Sequence, residues 1–199
     1  MRTMIEIDRD HAVYEAAATD NNRLVLTGVL FTNRDGGRAV ATDGKIAAIV
    51  LAKTEGLADD VIVPATFLKA AYRATKSNRV QFIVDSEAQR AFTVDGKLSE
   101  HLIQGSFPDV WRLIPDVDAE YCTRYLNLNF SLGVRLSKAI GSYVDKEARL
   151  KLCPTGAASP ILAVAAGAIG LYMPIVAVVP SDEEIRETVA KLNGAVSVA

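Results

Sequence analysis

The chain has 199 residues, of which 50% are hydrophobic and 23% are charged. This composition is typical of a folded globular protein and argues against a disordered one. The formal net charge of −2 excludes the strong overall basic charge of many tight nucleic-acid binders, so any DNA contact would have to be local or topological. Cys122 and Cys153 lack metal-ligand spacing and are expected to be free thiols of a cytoplasmic protein.

The first part of the chain predicts a unit made of one strand, one helix and three further strands. A strand is expected at residues 4–7 and a short helix near 10–19, followed by strands over 23–32, 38–42 and 45–52. The turn at 33–37 contains the Asn, Asp and Gly residues that adopt positive φ in hairpins.

The next part repeats this order of elements. A strand at 60–64 precedes a helix in which Phe67, Leu68, Ala71 and Tyr72 share one face. Strands over 80–85, 89–94 and 97–103 follow, and Asp95-Gly96 is a strong hairpin signal between the last two.

A third unit is predicted after residue 122. Residues 125–130 alternate like a strand, and a helix is expected over 132–143, in which Val134, Leu136, Ala139 and Ile140 are apolar. A strand at 149–153 and an apolar hairpin over 161–179 complete it. The 19 uncharged residues of that hairpin approach the length of a membrane span, but two glycines and Pro174 interrupt them. Two buried strands are therefore expected, with no membrane association.

Beyond residue 180 the pattern changes to that of an extra C-terminal helix and tail, residues 180–199. Residues 181–184 form a capping box, and Ile185, Val189 and Leu192 form one apolar stripe. Such a stripe packs on its own domain or contacts a partner, and both alternatives stay open.

A catalytic site is not indicated. The two histidines, His11 and His101, do not accompany a serine or cysteine nucleophile motif, and the sequence has no glycine-rich phosphate loop or metal-ligand spacing. We therefore expect a protein that is not an enzyme and that needs no metal or cofactor.

Five segments occur in an order that resembles a known family. They include Thr42-Asp43-Gly44 and Phe107-Pro108-Asp109, and they span residues 26–31, 41–44, 61–64, 102–109 and 172–175. The chain is similar to the bacterial DNA polymerase III beta subunit, the sliding clamp, reduced to about one and a half domains. The resemblance implies an α+β, DNA-clamp-like fold of repeated strand–helix–three-strand units, with antiparallel sheets and helices on one face. Residues 1–115 would form a complete domain and residues 122–179 a half-domain.

The resemblance also implies a hydrophobic cleft that receives short peptides of polymerases, clamp loaders and repair proteins. Lys45 and Ile46 stand where the family usually has histidine and arginine. If the resemblance is set aside, the residues assigned to this cleft are ordinary strand and turn residues of a β core. The residues that match the family's cleft are Thr42, Gly44, Lys45, Ile46, Ala47, Pro108, Arg112, Leu113, Leu171, Met173, Pro174 and Ile175.

Basic residues on the second and third helices are candidates for non-specific contact with double-stranded DNA. They are Lys69, Arg73, Lys76, Arg79, Arg135, Lys138 and Lys146. Lysine and arginine on a helix are more often only its solvated face.

Two functions follow from the resemblance. In one, the protein is a cytoplasmic, nucleoid-associated factor of DNA replication or repair that assembles a ring and tethers partners to DNA. The family ring contains twelve units, and a homo-oligomer of four copies with three units each would supply that number. In the alternative, the protein is a binding module or decoy of phage or plasmid type that keeps the cleft without encircling DNA.

Overall fold

The computed structural model of the chain describes residues 1–114, 130–141, 151–153, 160–165 and 167–173. Two α-helices and eleven strands lie within these residues. The helices are α1, Ala65–Ala74, and α2, Phe130–Ala139. The strands are β1 Arg2–Asp8, β2 Gly28–Thr32, β3 Arg38–Thr42, β4 Ile46–Lys53, β5 Val61–Pro64, β6 Arg79–Asp85, β7 Arg90–Thr93, β8 Ser99–His101, β9 Lys151–Cys153, β10 Ile161–Ala165 and β11 Ala168–Tyr172.

The first two units exchange their opening strands. β1 of the first unit pairs antiparallel with β6 of the second, while β5 of the second pairs antiparallel with β2 of the first. The resulting strand orders are β5-β2-β3-β4 and β1-β6-β7-β8, and the end of β4 joins them where Lys53 lies opposite Glu6. The two units are thereby related by an approximate twofold arrangement.

The third unit extends the first of these sheets. β9, β10 and β11 form an antiparallel set, and β11 pairs along β4 from Ala168 opposite Val50 to Tyr172 opposite Ile46. The pairing ends with the amide of Met173, which donates to the carbonyl of Lys45 over 2.7 Å. The free edge of the first unit is therefore covered by the third.

Alternate residues of the shared sheet enter two different apolar cores. Ala39 and Ala41 of β3 face the helices, and Val40 between them faces the opposite side. On that opposite side the sheet is covered by the segment that follows β8, in which Val110 is fully buried. Because both sides of the sheet are buried, its strands are almost wholly apolar instead of alternating with polar residues.

The apolar face predicted for the second helix is confirmed. α1 buries Phe67, Leu68, Ala71 and Tyr72, the four residues that its periodicity selects. α2 begins at Phe130 and buries Leu132, Leu136 and Ala139, with Ile140 just beyond its end. Val134, another of the apolar residues named for this helix, is 50% exposed.

Two predictions in the first unit are wrong. The helix expected near 10–19 is only the 3-10 helix Val13–Ala16, and residues 23–27 of the expected strand belong to the 3-10 helix Asn21–Thr27. Tertiary donors explain the first difference, since Tyr72 donates to the carbonyl of His11 and Arg135 donates to the carbonyls of Glu15 and Ala17. These carbonyls thus accept hydrogen bonds from side chains and do not need the backbone hydrogen bonds of an α-helix.

The α+β architecture and the hairpins agree with the sequence. Asp35, Gly36 and Gly37 all have positive φ in the β2–β3 connection, and Gly96 has a φ of 70° in the β7–β8 connection. Residues 125–129 of the strand predicted over 125–130 lie outside the described residues, and Phe130 begins α2 instead. Residues 174–179 of the third hairpin and the C-terminal helix also lie outside the described residues, as do Lys146, Pro174 and Ile175. Within the described part of the chain, no helix is long and apolar enough to cross a membrane.

Candidate functional site

The turn between β3 and β4, residues 42–45, is held in one shape by its own side chains. The Thr42 hydroxyl donates to the carbonyl of Ile46 over 2.7 Å and accepts from the amide of Gly44 over 3.0 Å. The Asp43 carboxylate accepts from the amides of Lys45 and Ile46 over 2.8 and 2.9 Å. Gly44 has a φ of 85°, which explains the glycine at this position.

Arg135 of α2 fastens this turn to the third unit. Its Nη1 donates to Asp43 Oδ2 over 2.7 Å, and the two side chains are 28% and 10% exposed. Its Nε and Nη2 donate to the carbonyls of Glu15 and Ala17 over 2.9 and 2.8 Å. A guanidinium presents its donors in a fixed fork, so one side chain orients the turn, the 3-10 helix and α2 together.

The end of β11 lies beside the same turn. Tyr172 is opposite Ile46, and the half-buried Met173 follows it next to Lys45. Methionine is flexible and polarisable, and it adapts to different apolar partners. An adaptable apolar side chain therefore stands next to an exposed lysine at the junction between the first and third units.

The 3-10 helix Val110–Leu113 covers the neighbouring part of the sheet. Val110 packs in the same apolar cluster as Ala47 of β4 and Leu171 of β11. Beyond it Leu113 is 40% exposed and the Arg112 side chain is exposed, with its Nε 3.1 Å from Asp109 Oδ2. An exposed apolar side chain and a cation thus lie on the 3-10 helix that covers this side of the sheet.

The described members of the predicted cleft divide into a buried and an accessible layer. The buried layer, which builds the sheet beneath the surface, contains Thr42, Ile46, Ala47 and Leu171. The accessible layer contains Gly44, Lys45, Pro108, Arg112, Leu113 and Met173. Only the second group can contact a ligand without rearrangement of the sheet.

A cavity of about 590 Å³ adjoins the turn and contains residues that the sequence did not select. Gly44 and Lys45 line one side of it, and Arg135 lines another. The additional lining residues are Ala18, Thr19, Asp20, Asn22, Arg23 and Leu26. Sequence reasoning missed Arg23 and Leu26 because residues 23–27 were expected to form a strand, whereas they belong to the 3-10 helix Asn21–Thr27, with Arg23 near Gly44.

The residues predicted to face DNA differ in whether their charged groups are exposed or already engaged by protein groups. Lys69 and Arg73 lie one turn apart on α1 and are exposed, as are Lys76 after that helix and Lys138 on α2. Among the described residues, no ion pair involves these four side chains. Arg79 instead forms an ion pair with Glu6, and Arg135 has the protein partners given above.

Glu6 marks the place where the two strand sets meet. Its carboxylate accepts from Gln81 over 2.8 Å and pairs with Lys53 over 3.0 Å, as well as with Arg79. The hydrogen bond from Gln81, then those from Lys53 and Arg79, lower the pKa of Glu6 to about 2 against the opposing effect of burial. Glu6 is therefore ionised at neutral pH and links β1 to β4 and β6.

Two further features concern the titratable side chains of the described residues. No cluster of three or more His, Cys, Asp or Glu side chains that could hold a metal ion occurs among them. Burial raises the pKa of Tyr72 far above its usual value, so this phenol is neutral, and its hydroxyl donates to the carbonyl of His11 over 2.6 Å. Its role is to join α1 to the first unit.

A family model decides the classification of the chain. The model of the DNA polymerase III beta subunit, central domain, matches residues 9–109, which is just over half of the sequence. The chain belongs to the DNA polymerase III beta subunit family. The matched range contains the first two units and the 42–45 turn. By sequence alone, no curated protein matches the chain significantly.

Solved sliding clamps share the fold of a larger part of the chain. The beta clamp of Caulobacter crescentus has a TM-score of 0.58 at 21% identity, over 87% of this chain and 65% of the clamp. The clamp of Helicobacter pylori bound to a DNA ligase peptide has a TM-score of 0.67 at 14% identity, over 88% and 66%. The Borrelia burgdorferi beta subunit has a TM-score of 0.64 at 16% identity, over 86% and 64%. This chain therefore spans just under two thirds of the length of these clamps.

Proposed function

We propose that the protein is a non-catalytic, sliding-clamp-like accessory factor of DNA replication or repair that holds short peptides of partner proteins. The observation that carries the proposal is the pairing of β11 along β4, which sets Met173 beside Lys45 at the edge of the 42–45 turn. This junction presents an apolar and a cationic side chain on a rigid sheet, as peptide recognition requires.

The peptide site is proposed to lie between the turn and the 3-10 helix Val110–Leu113. Leu113 and Met173 supply apolar contact, and Lys45 and Arg112 supply charge. The Helicobacter pylori clamp, which shares this fold, binds a DNA ligase peptide. Partners of the present protein are accordingly proposed among polymerases, clamp loaders and repair proteins that carry such peptides.

DNA is the second proposed partner, bound without sequence preference in the cytoplasm by an assembled ring. Lys69, Arg73, Lys76 and Lys138 are exposed on the helix side of the sheets and supply the positive charge. Basic side chains of this kind contact phosphates and make binding salt-dependent. Four copies with three units each would provide the twelve units of a clamp ring.

One observation favours a second candidate, a clamp-like binding module or decoy that does not encircle DNA. Arg135, expected to face DNA, directs its donors to Asp43 and to two backbone carbonyls. This engagement reduces the basic charge that α2 offers to a duplex. Such a module would keep the peptide site and lack ring assembly.

The peptide site is tested by titrating the protein into a fluorescently labelled DNA ligase peptide of the kind bound by the Helicobacter pylori clamp, and following anisotropy. Saturable binding is expected, with no binding of a scrambled peptide of the same composition. Removal of residues 180–199 checks whether the C-terminal tail competes for the site. The peptide proposal fails if neither form of the protein gives saturable binding.

A further inference from the structure

The β2–β3 connection carries an arginine that reaches the segment following β8. The guanidinium of Arg34 lies over the Trp111 ring, 4.4 Å from the ring centre. Its Nη1 is also 3.6 Å from Asp109 Oδ1, and its Nε is 3.9 Å from Asp35 Oδ2. A guanidinium over an indole ring is attracted by the negative face of the ring. Arg34 therefore joins the connection to the 3-10 helix Val110–Leu113 through an aromatic ring and a carboxylate.

The connection that carries Arg34 has a fixed shape. The Thr32 hydroxyl accepts from the amide of Arg34 over 3.2 Å, and the amide of Ala52 donates to the carbonyl of Gly37 over 3.3 Å. Gly37 lies so close to β4 that an added Cβ atom would be 2.3 Å from the carbonyl oxygen of Ala52. The backbone of Arg34 is therefore held in place relative to the sheet.

The segment that Arg34 contacts is only partly packed on the sheet. Val110 is fully buried in the apolar cluster on this side. A cavity of about 360 Å³, however, is lined by Leu30 and Ile62 of the sheet and also by Phe107 and Trp111 of the segment. Protein interiors are normally close-packed. Contact with the sheet therefore does not by itself fix the position of the segment along this cavity.

The backbone of the segment adds no further attachment to the sheet in the part of the chain that the structure describes. The amide of Ile103 donates to the carbonyl of Ile62 over 2.9 Å, and the described backbone hydrogen bonds of residues 105–114 then stay within the segment. Beyond Ile103, Arg34 supplies the polar contacts that cross from the segment to the β2–β3 connection.

The 3-10 helix that Arg34 contacts also carries two residues of the proposed peptide site. Successive residues of a 3-10 helix differ by about 120° in direction, so Trp111, Arg112 and Leu113 leave one short turn on different sides. Asp109 connects the two arginines directly, because its Oδ1 faces Arg34 while its Oδ2 lies 3.1 Å from Arg112 Nε. A displacement of Trp111 or Asp109 would therefore move both peptide-site residues.

We propose that Arg34 is a positioning residue, which holds the 3-10 helix Val110–Leu113 through Trp111 and Asp109 and so sets Arg112 and Leu113 in place before a peptide binds. The inference rests on the proposed peptide-binding function. A site formed in advance binds more tightly, because the apparent affinity falls with the fraction of molecules in the competent conformation. The contacts of Arg34 are partly exposed, so their loss should lower peptide affinity by about three- to tenfold.

Trp111 provides a direct spectroscopic readout, because it is the only tryptophan of the chain. Arg34→Ala should shift its emission to longer wavelength and increase its quenching by acrylamide, since water replaces the guanidinium over the ring. Arg34→Lys keeps a cation and should recover part of both changes. Arg38→Ala is the matched control, because Arg38 lies just after the same connection and donates to the carbonyl of Gly37. Its emission and quenching should equal those of the original chain.

Titration of the same variants into the labelled ligase peptide measures the effect on the site. Arg34→Ala should bind about three- to tenfold more weakly with an unchanged circular dichroism spectrum, Arg34→Lys should be intermediate, and Arg38→Ala should bind normally. Unchanged Trp111 fluorescence in Arg34→Ala overturns the inference, as does an unchanged affinity. If the original chain does not bind the peptide, the proposed function fails, and the fluorescence of Arg34→Ala still decides whether Arg34 holds the helix.

Discussion

Arg135 on α2 and Asp43 in the turn between β3 and β4 form an ion pair with 2.7 Å between Nη1 and Oδ2. The pair joins the third unit to the turn at which the proposed peptide site begins. Because the same guanidinium also donates to the carbonyls of Glu15 and Ala17, it satisfies acceptors in three places. One side chain therefore contributes to the junction at three acceptors, beside the β4–β11 pairing.

Arg135→Ala is expected to lower the free energy of unfolding by about 1–3 kcal/mol, because it leaves a partly buried carboxylate and two carbonyls without this donor. Arg135→Lys should recover only part of the loss, since an ammonium cannot present the same fork. Urea unfolding followed by circular dichroism measures both. Lys138→Ala on the exposed side of the same helix is the control, expected within about 0.5 kcal/mol of the original chain. Equal stabilities of Arg135→Ala and the original chain would contradict this role.

Leu113→Ala tests the apolar part of the proposed peptide site. The side chain is 40% exposed on the 3-10 helix Val110–Leu113, and its truncation should weaken binding of the labelled ligase peptide about tenfold, or about 1.4 kcal/mol. Anisotropy titration gives the dissociation constant. Leu98→Ala, on a similarly exposed leucine beside β8, is the matched control and should leave it unchanged. A similar loss in both variants would show that the effect is not local to the junction.

Lys69→Ala and Arg73→Ala test the DNA-facing side. Each exposed cation that contacts a phosphate should contribute about one unit to the slope of log K against log salt concentration, so each variant should reduce that slope by about one. Binding of a labelled duplex over a series of salt concentrations measures the slope. Lys97→Ala, whose ammonium lies 3.1 Å from Asp95 in the β7–β8 turn, is the control. An unchanged slope in both helix variants would show that α1 does not contact the DNA.

Glu6 predicts a particular dependence of stability on pH. Its pKa in the folded protein is about 2, below the ordinary value of 4.5, so its ion pairs stabilise the fold above about pH 4.5 and lose that effect as pH falls toward 2. Glu6→Gln should cost on the order of 1 kcal/mol at neutral pH, and the difference from the original chain should shrink on acidification. Unfolding curves at several pH values measure it. A difference that stays constant down to the lowest pH would refute the assignment.

The sequence predicted best those elements whose hydrophobic pattern decides their structure. The period of α1 selected Phe67, Leu68, Ala71 and Tyr72, and all four are buried. The apolar run of β10 and β11 was correctly assigned to strands, since glycines and prolines interrupted it too often for a membrane helix. The local pattern of apolar residues was sufficient to predict these elements, because it determines directly which of their side chains are buried.

Elements that depend on distant donors were not predictable in the same way. The first helix is short because Tyr72 and Arg135, far along the chain, donate to its backbone carbonyls. Val134 has an apolar side chain in a helical pattern, yet it lies outside the core that α2 shares with the first unit. The family resemblance selected residues of one junction, but it did not separate the buried Ile46 and Leu171 from the accessible Lys45 and Met173.

Hydrogen–deuterium exchange of the intact protein, with and without the ligase peptide, tests the central claim most directly. Bound peptide should slow exchange at three segments that are separated in sequence and meet at the junction, namely residues 42–47, 108–113 and 171–173. Exchange in the β6–β7 hairpin should be unchanged. Saturable binding with protection confined to other segments, or protection of only one of the three, would contradict a peptide site built where the third unit joins the first.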